Sequence, residues 1–70
     1  MDTFIMTASE AAEYLRIRQA AMIDLLKRGE IPAIQEKEGA PWKIPREALH
    51  EYVMERAKRE AARRRSEATA

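Results

Sequence analysis

The sequence predicts a mainly helical domain with one small β-hairpin, in the order helix, tight turn, helix, hairpin, helix. Three observations carry that reading. Two short apolar-faced segments, Thr7 to Leu15 and Gln19 to Arg28, are separated only by Arg16-Ile17-Arg18. The stretch Gly29-Glu30-Ile31-Pro32-Ala33 then stops the second segment. Finally, Trp42-Lys43-Ile44-Pro45-Arg46-Glu47-Ala48-Leu49 completes a short strand pair and opens a new helix. This is the order of a small winged helix-turn-helix, and it points toward DNA rather than toward catalysis.

Each element has a local cause. Thr7-Ala8-Ser9-Glu10 forms a capping box, in which the Thr7 hydroxyl accepts from the Glu10 amide and the Glu10 carboxylate reaches back to the Thr7 amide. Ala8, Ala11, Ala12 and Leu15 follow on one face, and the small alanines admit a second helix at close range. The second segment buries Met22, Leu25 and Leu26 and presents Gln19 or Ala20, Ile23, Asp24 and Lys27 on its other side. Gly29 suits the stop, because glycine adopts a positive φ without steric cost. Lys27 and Arg28 lie in the last turn, where the helix dipole favours cations.

From Ala33 the period changes. Ala33 to Glu36 and Trp42 to Ile44 read as two strands around Lys37-Glu38-Gly39-Ala40-Pro41, with Ile34 and Ile44 on the shared buried side. Pro41 beside Trp42 suits only an edge strand. Pro45 fits the first turn of the last helix, where its missing amide costs nothing. Ala48, Leu49, Tyr52, Val53 and Ala57 continue that helix, with Leu49, Tyr52 and Val53 expected in the core, and Glu55 to Arg59 and Glu60 to Arg64 are i,i+4 acid-to-base pairs. The expected organisation is a winged helix-turn-helix over 1–57 and a basic helical extension over 58–70 that frays from Ser66.

A chain of 70 residues is one domain, near the lower limit for a core without staples. With no cysteine and one histidine, disulfides and thiolate zinc sites are excluded. The segment Met1 to Met6 is too short and acidic for a signal peptide, and no apolar run approaches the roughly 20 residues that span a bilayer. A cytoplasmic protein without membrane, metal or cofactor is expected. The net charge is only +1, but residues 1–52 carry seven Lys/Arg against nine Asp/Glu, and residues 53–70 carry six against three. Arg16 to Arg28 holds four cations against Asp24 alone. Positive charge is therefore local, as phosphate contacts require.

The residues offer no enzyme active site. Carboxylates are scattered over helix surfaces, and neither a Ser, Cys or His constellation nor a Gly-rich phosphate loop is present. Trp42 reads as a packing residue rather than a base-stacking platform, and His50 as a solvent-facing helix residue. The Arg63-Arg64-Arg65 run, with Arg59, is either a solubilising helix end or an arm for DNA backbone or a protein partner.

Thr7-Ala8-Ser9-Glu10-Ala11-Ala12-Glu13-Tyr14-Leu15, Leu25 to Ala33 and Trp42 to Leu49, in that order and spacing, resemble the excisionase-type, MerR-like winged helix-turn-helix DNA-binding domains. The resemblance covers Met6 to Val53. It implies a second helix in the major groove of double-stranded DNA and a hairpin wing on the backbone or minor groove. Position by position, Arg18, Gln19, Ala20, Ile23, Asp24 and Lys27 would face the groove, Lys37 and Lys43 would be wing contacts, and Arg16 and Arg28 phosphate contacts. Glutamine can read adenine, and Ala or Ile can meet a thymine methyl. The chain departs from the family at the inter-helix turn, where Arg16 and Arg18 replace Gly and a Ser-type cap, and at Ala20, Ala21 and Asp24, where hydroxyl and basic side chains are usual.

The role this resemblance implies is that of a recombination directionality factor. Such a factor binds side by side on attachment-site DNA, bends it, and turns an integrase toward excision through protomer-protomer contacts. A small transcription regulator of the same fold is the alternative, and a protein-interaction module is a third reading.

Overall fold

A computed structural model describes residues 4–69. Met1 to Thr3, part of the segment judged unlike a signal peptide, and Ala70, the end of the basic extension, lie outside the described residues. The elements are β1 (Ile5–Met6), α1 (Ala8–Leu15), α2 (Gln19–Lys27), β2 (Ile34–Gln35), β3 (Trp42–Pro45) and α3 (Arg46–Thr69). Helix, turn, helix, wing and helix therefore succeed one another in the expected order.

The capping box at α1 is complete: the Thr7 amide donates to Glu10 Oε1 at 2.9 Å, and the Glu10 amide donates to Thr7 Oγ1 at 3.1 Å. α1 ends on Arg16, which takes the left-handed conformation at φ 60° and ψ 45°. The amides of Arg16 and Ile17 then reach back to the carbonyls of Glu13 and Ala12 at 3.1 and 3.0 Å. α2 ends the same way on Gly29 at φ +74°, with the Gly29 and Glu30 amides on the Leu26 and Leu25 carbonyls, both at 3.1 Å. Both turns satisfy carbonyls that a helix end would leave open.

The hairpin is part of a larger sheet. β1, two residues with no legible period, joins it, and the strand order is β1-β3-β2 with both pairings antiparallel. β3 is thus the central strand rather than an edge. Pro41 is tolerated because it lies one residue before the strand begins. Pro45 is the last residue of β3, opposite Ile5, instead of the first helical residue. The next amide, that of Arg46, donates to the Phe4 carbonyl at 2.8 Å.

Ala8, Ala11, Ala12, Met22, Leu26, Ile31, Ile44 and Leu49 form the buried core, with Leu15, Leu25, Trp42 and Tyr52 packed against it. The α1 alanines face α2 as the pattern required, and Trp42 is a packing residue. Two expectations fail. Ile34 is 53% exposed, because the register sets it opposite Lys43 rather than Ile44 and so turns it to the outer face. Its place in the core is taken by Ile31, 2% exposed, which the turn after Gly29 folds inward. Val53, expected in the core, is 41% exposed, because α3 is already leaving the body there. The last helix runs unbroken for 24 residues, through the Ser66 region expected to fray. Arg63 supports that stretch by pairing with Glu60 and, at 3.6 Å, with Glu67.

Candidate nucleic-acid interface

α2 is amphipathic about Met22 and Leu26, and its two flanks have different surroundings. Gln19, Ile23 and Lys27 recur at i, i+4 and i+8. They line an open cleft with Thr7, Ala8 and Ser9 at the start of α1, and with Gln35 and residues 38–42 of the wing. Gln19 and Lys27 are exposed and Ile23 is half-buried. Ala20 is exposed on the same helix, and Arg18 is the N-cap residue without a side-chain cap bond. The cleft therefore presents one amide side chain, one apolar side chain and one ammonium in a row along a helix edge.

The other flank carries Ala21, Asp24 and Arg28, which share a groove with Leu15, Ile17, Leu25, Tyr52, Val53, Arg56 and Ala57 between α2 and α3. Asp24 and Arg28 are one turn apart and paired, Arg28 Nε to Asp24 Oδ2, at 3.0 Å. Arg28 Nη1 also lies 3.5 Å from Glu30 Oε2. The structure thus separates Asp24 and Arg28 from the cleft that gathers Gln19, Ile23 and Lys27. It does not bring the whole predicted groove-facing set together.

On the wing, Gln35 Nε2 donates to the Ala40 carbonyl at 2.9 Å and braces the loop, and Gly39 takes φ +87° at its tip. Lys43 Nζ lies 3.3 Å from Glu36 Oε2, while Lys37 is exposed near the tip. Among the described residues, Arg16, Arg18, Lys27 and Lys37 make no ion pair, so four of the predicted cations are available to phosphate. Arg59, Arg63, Arg64 and Arg65 stand apart on the α3 extension.

Sequence reasoning passed over the α1 contribution to the cleft, Thr7 and Ser9. The capping box was the available signal, since it fixes where the first turn of α1 begins. It also passed over Gln35, whose role depends on a loop closure that no periodicity reveals. Among the described residues no group of three or more His, Cys, Asp or Glu side chains could hold a metal ion, and no helix is long and apolar enough to cross a membrane.

The model of a family described as a helix-turn-helix domain matches residues 5–57. No curated protein and no solved structure matches the chain. The matched span runs from β1 into α3 and takes in both helices, the turn between them and the wing. With well over half of its length matched, the chain belongs to the helix-turn-helix domain family.

Proposed function

We propose that this protein binds double-stranded DNA, with α2 in the major groove and the wing along the neighbouring backbone. The observation that carries this is the cleft that sets Gln19, Ile23 and Lys27 beside the wing. A helix edge of this kind can offer an adenine-reading amide and a thymine-methyl contact, with a cation at its end for phosphate. Arg16, Arg18, Lys27 and Lys37 are the phosphate contacts in this reading, and Arg28 and Lys43 join after exchanging their carboxylate partners for phosphate. The chain does no chemistry of its own.

The finer reading is a recombination directionality factor that binds cooperatively to attachment-site DNA, bends it and favours integrase-mediated excision. Its support is the resemblance of the three quoted segments. Bending would rest on backbone contacts along the curve. A small cytoplasmic transcription regulator would use the same residues on a different site.

The test is a gel-shift titration at two salt concentrations, on DNA flanking the protein's own gene and on a scrambled duplex. Discrete cooperative ladders on the native DNA, weakened steeply by salt, are expected. A single complex at one operator-like site would favour the regulator. Equal binding to the scramble would overturn sequence-preferring recognition.

A further inference from the structure

Beyond Ala57, the last α3 residue in the groove shared with α2, the helix extends away from its own domain. Leu49 and Tyr52 face the core, and from Val53 to Ala68 every residue is exposed. A helix that is polar all round usually bridges to another body or is laced by its own ion pairs. Here Arg63, Glu60 and Glu67 lace one side. The side turned away from Leu49 and Tyr52 carries, at alternating spacings of four and three, Glu47, Glu51, Met54, Lys58, Ala61 and Arg65. Acid lies at one end of that strip, base at the other, and a 43% exposed methionine between them.

A strip of this kind is complementary to itself when turned end for end. Antiparallel pairing of two such helices sets Glu47 against Arg65 of a second copy and Met54 beside Lys58, and a two-fold axis repeats each contact. The surroundings of the acidic end fit the same visitor. Phe4, 53% exposed, and Tyr14, 40% exposed, stand beside Glu47 and His50, with Glu13 adjoining Tyr14. Arg46, the cation on that side, already has a partner, and so has Arg65 at the basic end, which would exchange its present partner for Glu47 of the second copy. Rings flanked by carboxylates suit guanidinium groups, which stack on one and donate to the other. Arg56 makes a ring contact of this kind within the chain, lying 5.8 Å from the Tyr52 ring centroid.

We infer that the face formed by Phe4, Tyr14, Glu47 and Glu51 receives the basic α3 extension of a second copy, reciprocally, in an antiparallel dimer. None of these residues lines the α2–wing cleft, so the inference does not depend on the DNA reading and is tested without DNA.

Sedimentation equilibrium of the full chain, mass 8.1 kDa, should show an average mass rising toward twice that value with concentration. The rise should shrink between about 50 mM and about 300 mM salt, where screening of exposed charges tightens. E47K/E51K and K58E/R65E should each sediment as monomers. Their equimolar mixture should recover the dimer mass, because the reversed face then meets the reversed tail at one contact and the unaltered face meets the unaltered tail at the other. Helical circular dichroism verifies that each variant folds. A wild-type chain that stays monomeric at on the order of 1 mM, far above the range of specific dimers, overturns the inference. So does association that survives in either variant alone, or a mixture of folded variants that stays monomeric.

Because the chain has no cysteine, a second variant pair gives an independent readout. Mixed Glu47→Cys and Arg65→Cys chains, oxidised together, should form the mixed disulfide in excess of the two symmetric ones. A statistical distribution would contradict the antiparallel register. Arginines that serve DNA phosphate alone would give that distribution and a monomer throughout.

Discussion

The two turns that bracket α2 share one hydrogen-bond pattern and make opposite residue choices. At each, two successive amides reach back to the carbonyls three and five residues earlier, and one residue adopts the left-handed conformation. After α2 that residue is Gly29, which takes φ +74° at no steric cost. After α1 it is Arg16, the one non-glycine residue with positive φ among the described residues. A side chain there costs about 1–2 kcal/mol. The isoleucines just beyond the two turns differ as well: Ile31 is 2% exposed, whereas Ile17 is 37% exposed. The α2 end is anchored by a core residue and relaxed in its backbone. The α1 end is held by the α1–α2 packing and tolerates a strained residue whose side chain is a cation beside the proposed DNA surface.

The two isoleucines give the most severe test of that difference. Ile31→Ala should destabilise the domain by about 2–5 kcal/mol, because it empties a site closed on all sides. Ile17→Ala should cost under about 1 kcal/mol. Urea melts followed by Trp42 fluorescence read both. Equal losses would mean that the α1–α2 turn is anchored by its own side chain, contrary to the exposure difference.

Gly29→Ala comes next. No atom lies within 4 Å of the added methyl, so only the backbone objects, and a loss of about 1–2 kcal/mol is expected. Arg16→Gly should move the other way. Relief of the left-handed strain, less the entropy of a new glycine, leaves a gain of about 0.5–1 kcal/mol, or a few degrees in Tm. The same variant should lose DNA affinity and flatten the salt dependence by about 0.9 in the log–log slope, the signature of one lost phosphate contact. More stable and equally tight would remove Arg16 from the interface.

The same turns mark what a sequence can carry. Thr7-x-x-Glu10 and Gly29 each announce a helix end through chemistry confined to a few residues, and both are legible. The left-handed turn at Arg16 is not, because the hydrogen bonds impose it on a residue with no preference for it. β1 escapes notice because two residues hold no period, and its pairing depends on β3, some forty residues on. Ile34 is misplaced by pattern alone because face depends on register, and register is a property of the pair. At the site, helical spacing is enough to gather Gln19, Ile23 and Lys27. It cannot show that Asp24 and Arg28 turn to the α3 flank and neutralise one another, since that needs the position of α3.

That paired flank gives the smallest and most discriminating expectation. The Asp24–Arg28 pair is open to water, with side chains 65% and 55% exposed, so Asp24→Asn should change stability by less than about 0.5 kcal/mol. Its effect belongs to binding. Arg28 is shared between Asp24 and Glu30, and losing one carboxylate makes it cheaper to offer to phosphate. Duplex affinity should rise by about two- to five-fold at low salt and converge on wild type at high salt, because the added term is electrostatic. The gain should be alike on native and scrambled DNA, since phosphate contacts carry no sequence information. Glu36→Gln, which frees Lys43 on the wing, should behave similarly. Should Asp24→Asn instead weaken binding, and only on duplexes that keep a cytosine at one position, then Asp24 accepts from that base's amino group. The α3 flank of α2 would then be a reading edge, and the division between its two flanks would have to be redrawn.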